Sequence, residues 1–204
     1  MTTRFHTIGV IGAGAMGRGI AQIAAQAGSQ VLLFDKDQQA SARAINDIAA
    51  LWDKLVAKGR IDAALAESYK ARLSVPSALS DLSPCELVIE AIVERLDIKQ
   101  ALFAELESIV APQALLASNT SSLSITAIAA GLKHPERMAG YHFFNPVPLM
   151  KVVEVISGLK TSADTCAALT TYAKHMGHTP VQAQDTPGFI VNHAGRGYGT
   201  EALR

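Results

Sequence analysis

A chain of 204 residues with 49% apolar and 18% charged side chains is large and apolar enough for one sizeable core, or for one domain and part of another. Lys+Arg and Asp+Glu both total 18, so the charge points neither to nucleic acid nor to an acidic membrane surface. The two cysteines, Cys85 and Cys166, have no metal-ligand spacing and make no disulfide framework; they read as buried small hydrophobes.

The opening MTTRFHTIGV runs almost at once into a strand, and no apolar run reaches membrane-spanning length, so the expectation is a cytoplasmic chain without a signal peptide. Ile8, Val10 and Ile11 form that strand. Gly12, Gly14 and Gly17, with Ala15 and Met16 between the last two, then spell G-x-G-x-x-G. Ile20, Ile23, Ala24 and Ala27 follow at helical spacing, and Gly28 marks a stop. Val31 to Phe34 make a second strand that ends in Asp35. Gly12 permits a tight turn, Gly14 lets a pyrophosphate approach the backbone, and Gly17 lets the helix lie close to the strand; the first-turn N–H groups face the phosphates. Asp35 is placed to accept from ribose hydroxyls, and its charge repels a 2′-phosphate, which favours NAD over NADP; the neighbouring Lys36 works against that preference. A glycine turn alone fits an empty tight turn equally well. Strand, turn, helix, strand and acid in succession point to dinucleotide binding.

Residues 38–58 read as a long helix with Ala44, Ile48, Leu51 and Leu55 inward and Arg43, Lys54 and Lys58 on its polar side, and 62–72 as a shorter one. This helical excursion either reaches over a ligand or is a solvated hairpin. Further strands are expected at 87–93, 115–117, 137–144, 152–156 and 179–183. Helices are expected at 97–109 (Ile98, Leu102 and Leu106 inward), 125–132, 164–176 and from 189 to 203, the last after a break at Thr186-Pro187-Gly188. Strands alternating with helices predict an α/β fold, a doubly wound and mainly parallel sheet with helices on both faces.

Ligands on such sheets bind beyond the carboxyl ends of the strands. Glu94 and Lys99 follow the strand at 87–93, Ser118 to Ser122 follow that at 115–117, and His142 and Asn145 end that at 137–144. Oxidising an alcohol requires a hydride acceptor and a base for the hydroxyl proton, a role histidine suits at neutral pH. His6, His134, His175 and His178 fall at strand starts, loops or helix ends and read as solvated, and His193 sits in the last helix. His142, among apolar neighbours at a strand's carboxyl end, is either a core histidine or that base. Glu154 inside VVEVI is either the base's orienting carboxylate or an outward-facing acid on an edge strand. Ser121 either belongs to a helix cap or meets the substrate oxygen.

The stretches GAGAMGRGIAQ, EAIVERLDIKQALFAEL, SNTSSLSIT, HPERMAGYHFFNPVPLMKVVEVI and TPGFIVN, in this order, resemble the 3-hydroxyacyl-CoA dehydrogenase family, in its branch of bacterial 3-hydroxybutyryl-CoA and 3-hydroxyadipyl-CoA dehydrogenases. The resemblance implies a Rossmann-type domain and NAD-dependent oxidation of L-3-hydroxyacyl-CoA to 3-ketoacyl-CoA, as in β-oxidation or phenylacetate breakdown. It implies His142 as base, Glu154 as its partner, Ser121 on the substrate oxygen and Asn192 completing the site. Glu94, Lys99 and Asn145 match positions on the nicotinamide side, Asn145 bordering the substrate as well, and Lys54 or Lys58 would meet CoA phosphates. The family usually follows TPGFIVN with an arginine and then a proline, whereas here His193, Ala194, Gly195, Arg196 and Gly197 follow. Family members continue into an all-helical domain that supplies the dimer contact and part of the acyl pocket. On this reading residues 1–186 are the NAD-binding domain and 187–204 the first helix of a truncated second one, poorly anchored without the rest. Such a fragment is expected to bind NAD(H) and to turn over slowly or not at all, the full-length protein being a homodimer. The competing readings are another Rossmann β-hydroxy acid dehydrogenase and a non-catalytic NAD-binding protein.

Overall fold

The computed structural model describes residues 5–195. β1 (Thr7–Ile11), α1 (Ala15–Gln26) and β2 (Gln30–Phe34) stand where the strand–turn–helix–strand pattern places them. The excursion consists of α2 (Gln38–Ala57) and α3 (Ala63–Lys70), after which the two-residue β3 (Leu73–Ser74) pairs with β2. There follow β4 (Leu87–Glu90), α4 (Leu96–Ile109), β5 (Leu115–Ser118), α5 (Ile125–Ile128), β6 (Met138–Phe143), β7 (Val152–Ser157), α6 (Ala163–His175) and β8 (Thr179–Gln184). Asp37, Ser124 and Ser162 cap α2, α5 and α6, each accepting a first-turn N–H that the helix itself leaves unpaired.

The strands form one eight-stranded sheet in the order β3-β2-β1-β4-β5-β6-β7-β8. Neighbours run parallel except β6 and β7, which are antiparallel. Strand order reverses beside β1, so a crevice opens there beyond the carboxyl ends of β1 and β4. Apolar side chains fill both faces of the sheet. One layer joins Ile20 and Ala24 of α1, Ile48 and Trp52 of α2, and Leu169 and Tyr172 of α6; the other joins Phe103 and Leu106 of α4 to Ile125 and Ile128 of α5. Among the described residues, no helix is long and apolar enough to cross a membrane.

Several elements differ from their sequence reading. In α2 the buried stripe runs through Ser41, Ala44, Ile48 and Trp52, while Leu51 is 41% exposed. Trp52 takes the inner position because α3 offers it the ring of Tyr69, centroids 5.3 Å apart. β4 stops at Glu90, and Val93, expected inside the strand, is 59% exposed. α4 turns Lys99, Phe103 and Leu106 inward, with Ile98 and Leu102 half-buried. α5 lasts four residues before a 3-10 turn takes over at Ala129–Gly131. His178 is buried, both ring nitrogens facing carbonyl oxygens, Val147 O at 3.1 Å and Met176 O at 3.3 Å. It follows α6, but the segment after Pro146 folds over it.

Candidate active site

The turn after β1 is built by two glycines packed too tightly for any side chain. Gly12 has φ +101°, and a Cβ there would lie 2.5 Å from the Ala91 carbonyl oxygen; one on Gly17 would lie 1.7 Å from the Gly12 oxygen. A Cβ on Gly14 would meet nothing within 4 Å. The open side of Gly14 therefore adjoins the start of α1, where Ala15, Met16 and Gly17 form the first turn with no side-chain cap and no acid. Unpaired N–H groups at the positive end of a helix dipole suit a phosphate. Asp35 stands beside them, its Oδ2 accepting from Ala13 N at 2.8 Å and its Oδ1 from Asp37 N at 3.0 Å. Open backbone, uncapped helix end and fixed acid fit a dinucleotide.

Across the antiparallel pair, His142 of β6 lies directly opposite Glu154 of β7. β8 pairs with the other side of β7, so Glu154 stands on an interior strand, and its side chain is fully buried with the backbone of Ile190 and Val191 against it. Its Oε2 is 2.6 Å from His142 Nδ1, and its Oε1 accepts from Ile190 N at 3.0 Å and Val191 N at 2.9 Å. A carboxylate only accepts, so Nδ1 is the donor in this pair, and the neutral form of the ring keeps its lone pair on Nε2. The ring is bracketed by Phe144 and Phe189, with centroids 4.5 and 5.9 Å away.

His142 lines a cavity of about 450 Å³ together with Met16, Glu94, Lys99, Ser121, Asn145 and Asn192. One carboxylate organises much of this wall. Glu94 Oε1 accepts from Thr120 Oγ1 at 2.6 Å and from Ser121 N at 2.8 Å, and Lys99 Nζ lies 3.2 Å from its Oε2. Burial pushes the Glu94 carboxyl up, but the Thr120, Ser121 and Lys99 contacts outweigh it and hold the group below the ordinary range. Ser121 Oγ stands 3.3 Å from the same oxygen. Asn192 Nδ2 donates to Ser121 O at 3.1 Å. Residues expected from separate segments thus share one cavity.

The segment after the break is described as far as residue 195. Phe189 is buried, and Ile190, Val191 and Asn192 are hydrogen-bonded to the site. Arg196, Gly197 and the remainder of the expected last helix lie outside the described residues. A second groove of about 540 Å³ runs between α1, α2 and the segment Asn145 to Leu149; Lys54 lines it and Lys58 does not. A smaller cavity, about 220 Å³, between Thr126, Pro135 and Leu159 contains none of the expected site residues.

Glu90 stands outside the residues expected at the site. It is fully buried at the end of β4 and paired with Lys99 Nζ at 2.5 Å. The available signal was a carboxylate inside the apolar run LVIEAIV, the same signal that picks out Glu154.

A phosphate turn at the sheet's switch point, an acid ending the second strand and a paired imidazole at the same sheet edge define a Rossmann-type dinucleotide-binding domain. Residues 7–186 match the family model for the NAD binding domain of 3-hydroxyacyl-CoA dehydrogenase. The chain is 48% identical over 204 residues to 3-hydroxyadipyl-CoA dehydrogenase of Escherichia coli (strain K12), covering 100% of this chain and 43% of that protein. It is 46% identical over 184 residues to a probable 3-hydroxybutyryl-CoA dehydrogenase of Deinococcus radiodurans, covering 90% and 66%. Among solved structures, 3-hydroxybutyryl-CoA dehydrogenase from Escherichia coli K12 superposes with a TM-score of 0.95 at 49% identity, over 97% of this chain and 42% of that one. The chain belongs to the 3-hydroxyacyl-CoA dehydrogenase family, and its cofactor is NAD. It spans less than two thirds of the length of these relatives.

Proposed function

We propose that the full-length protein oxidises L-3-hydroxyacyl-CoA to 3-ketoacyl-CoA, with His142 as general base and Glu154 as its partner. The observation that carries this reading is the 2.6 Å pair of a buried carboxylate with an imidazole that opens on the cavity bordered by Met16 of the phosphate turn. NAD, when bound, supplies the hydride acceptor. His142 Nε2 takes the hydroxyl proton, and the Glu154 carboxylate balances the imidazolium that results. Ser121 and Asn192, held together by one hydrogen bond, address the substrate oxygen, while Glu94, Lys99 and Asn145 line the nicotinamide side. Lys54, on the second groove, meets CoA phosphates.

The substrates favoured are short acyl chains such as 3-hydroxybutyryl-CoA or 3-hydroxyadipyl-CoA, which the relatives' names support. The division into an NAD-binding domain at residues 1–186 and the start of a helical domain at 187–204 belongs to the same reading, and so do the homodimer and the cytoplasmic location; the family resemblance supports them. The test is NADH formation from a panel of 3-hydroxyacyl-CoA thioesters and free 3-hydroxy acids. Thioesters should be oxidised and free acids ignored, and His142→Gln should lower kcat by about 10²–10⁴-fold with little change in NADH affinity. Near-normal turnover in that variant places the base elsewhere. Preference for free acids favours another β-hydroxy acid dehydrogenase, and no turnover of either favours a non-catalytic NAD-binding protein.

A further inference from the structure

Glu90 raises a physical question that the proton-abstracting pair does not answer. A carboxylate with no solvent exposure needs compensation, and an apolar residue would serve β4 better if packing were its whole task. Both its oxygens are engaged. Oε1 accepts from Lys99 Nζ at 2.5 Å and from Ile92 N at 2.7 Å, and Oε2 accepts from Ser118 Oγ at 2.6 Å. Glu90 is also absent from the cavity wall, whereas Lys99 forms part of it.

Lys99 lies between two carboxylates of different character. Glu94 is on the loop after β4, its side chain 37% exposed, and its Oε1 is shared among Thr120, Ser121 and Ser122. Glu90 belongs to a central strand, paired on one side with Ile11 of β1 and on the other with Ser118 of β5. A lysine ammonium is a compact charge on a flexible stem, and it stays in one place only if something rigid holds it. Glu90 is that rigid point. The chain of contacts runs from the sheet through Glu90 to Lys99, on to Glu94, and from there to the Ser121 amide and hydroxyl.

We infer that Glu90 is a positioning residue for the cofactor site: it fixes the Lys99 ammonium at the cavity wall and touches neither cofactor nor substrate. The inference rests on the reading above that Lys99 lines the nicotinamide side. The experiment is fluorescence titration of the full-length protein with NADH, with Tm recorded for every variant. Lys99→Met and Glu90→Gln should each raise the NADH Kd about tenfold, the worth of one charge-assisted bond. With Lys99→Met already in place, adding Glu90→Gln should change Kd by less than about twofold, because the second residue acts only through the first. Lys99→Met alone leaves the Glu90 carboxylate buried without its cation, so if that variant does not fold the neutral double variant takes its place, and its Kd should match that of Glu90→Gln within about twofold. A purely structural role lowers Tm in Glu90→Gln and leaves Kd at the wild-type value, or weakens NADH binding equally in both backgrounds; either result overturns the inference. An unchanged Kd in Lys99→Met instead overturns the reading of Lys99 as a cofactor contact.

Discussion

Replacing Glu154 by glutamine changes one oxygen to an NH₂ group and almost nothing in shape. The surroundings decide which way the amide turns. Ile190 N and Val191 N both donate to Oε1, so the glutamine oxygen stays with them; the opposite orientation sets NH₂ against two donors. NH₂ then faces His142 Nδ1, which must become an acceptor, and the ring proton moves to Nε2. The nitrogen open to the cavity ceases to be a base. The loss expected in kcat for the full-length enzyme is about 10²–10⁴-fold, the worth of a positioned acid–base group. Exchanging a charge-assisted bond for a neutral one in a buried pair also costs about 2 kcal/mol, or roughly 4–8 °C in Tm for a domain of this size. The assay is steady-state NADH formation from a 3-hydroxyacyl-CoA, beside thermal denaturation. Because the two residues act as a unit, the Glu154→Gln/His142→Gln double variant should be no slower than either single one. A kcat within about tenfold of wild type, or losses that multiply in the double variant, refutes the proton-placement argument.

Asp35→Ala should narrow the preference for NAD(H) over NADP(H) in paired titrations by removing the charge that opposes a 2′-phosphate. It should also weaken NAD(H) somewhat, since the Ala13 amide loses its acceptor. Gly14→Ala places its Cβ where no protein atom lies and should lower NADH affinity without lowering Tm. Gly17→Ala, with Cβ 1.7 Å from a backbone oxygen, should lower both, by about 1–3 kcal/mol in stability. Asp185 is pushed up by burial but held below its ordinary 3.8 by the Ser124, Thr126 and Ile125 donors at the start of α5. A depressed carboxyl adds stability that is fully present above 3.8 and lost as pH falls through its folded value. Asp185→Asn should therefore lower Tm at neutral pH, with the gap to wild type closing below 3.8; a gap independent of pH contradicts that assignment.

What a short stretch determines by itself could be read from the sequence. Gly12, Gly14, Gly17 and Asp35 lie within one β-α-β unit, and the structure places them as the spacing implies. The pairing of Glu154 with His142 is harder, because a lone acid in VVEVI reads alike on an edge strand and on an interior one; β8 beside β7, the register opposite His142 and the Ile190–Val191 backbone over the carboxylate decide it. Glu90 and Lys99 were separated by the turn out of β4, so neither half announced the other. Trp52 displaced Leu51 because of α3, and His178 was buried by a segment some thirty residues earlier, contacts that no local periodicity contains.

The antiparallel step between β6 and β7 governs which changes of chain length the site tolerates. His142 faces Glu154, and Phe143 faces Val153, because the two strands leave one end of the sheet in opposite directions. An inserted residue among 144–151 lengthens the connection and leaves every facing pair as it was. One inserted between Val152 and Glu154 shifts the strand by a single step, turns the acid to the other side of the sheet and brings an apolar side chain under the imidazole. Relatives that vary the number of residues between histidine and glutamate can therefore keep the pair intact, provided that the variation is confined to the connection.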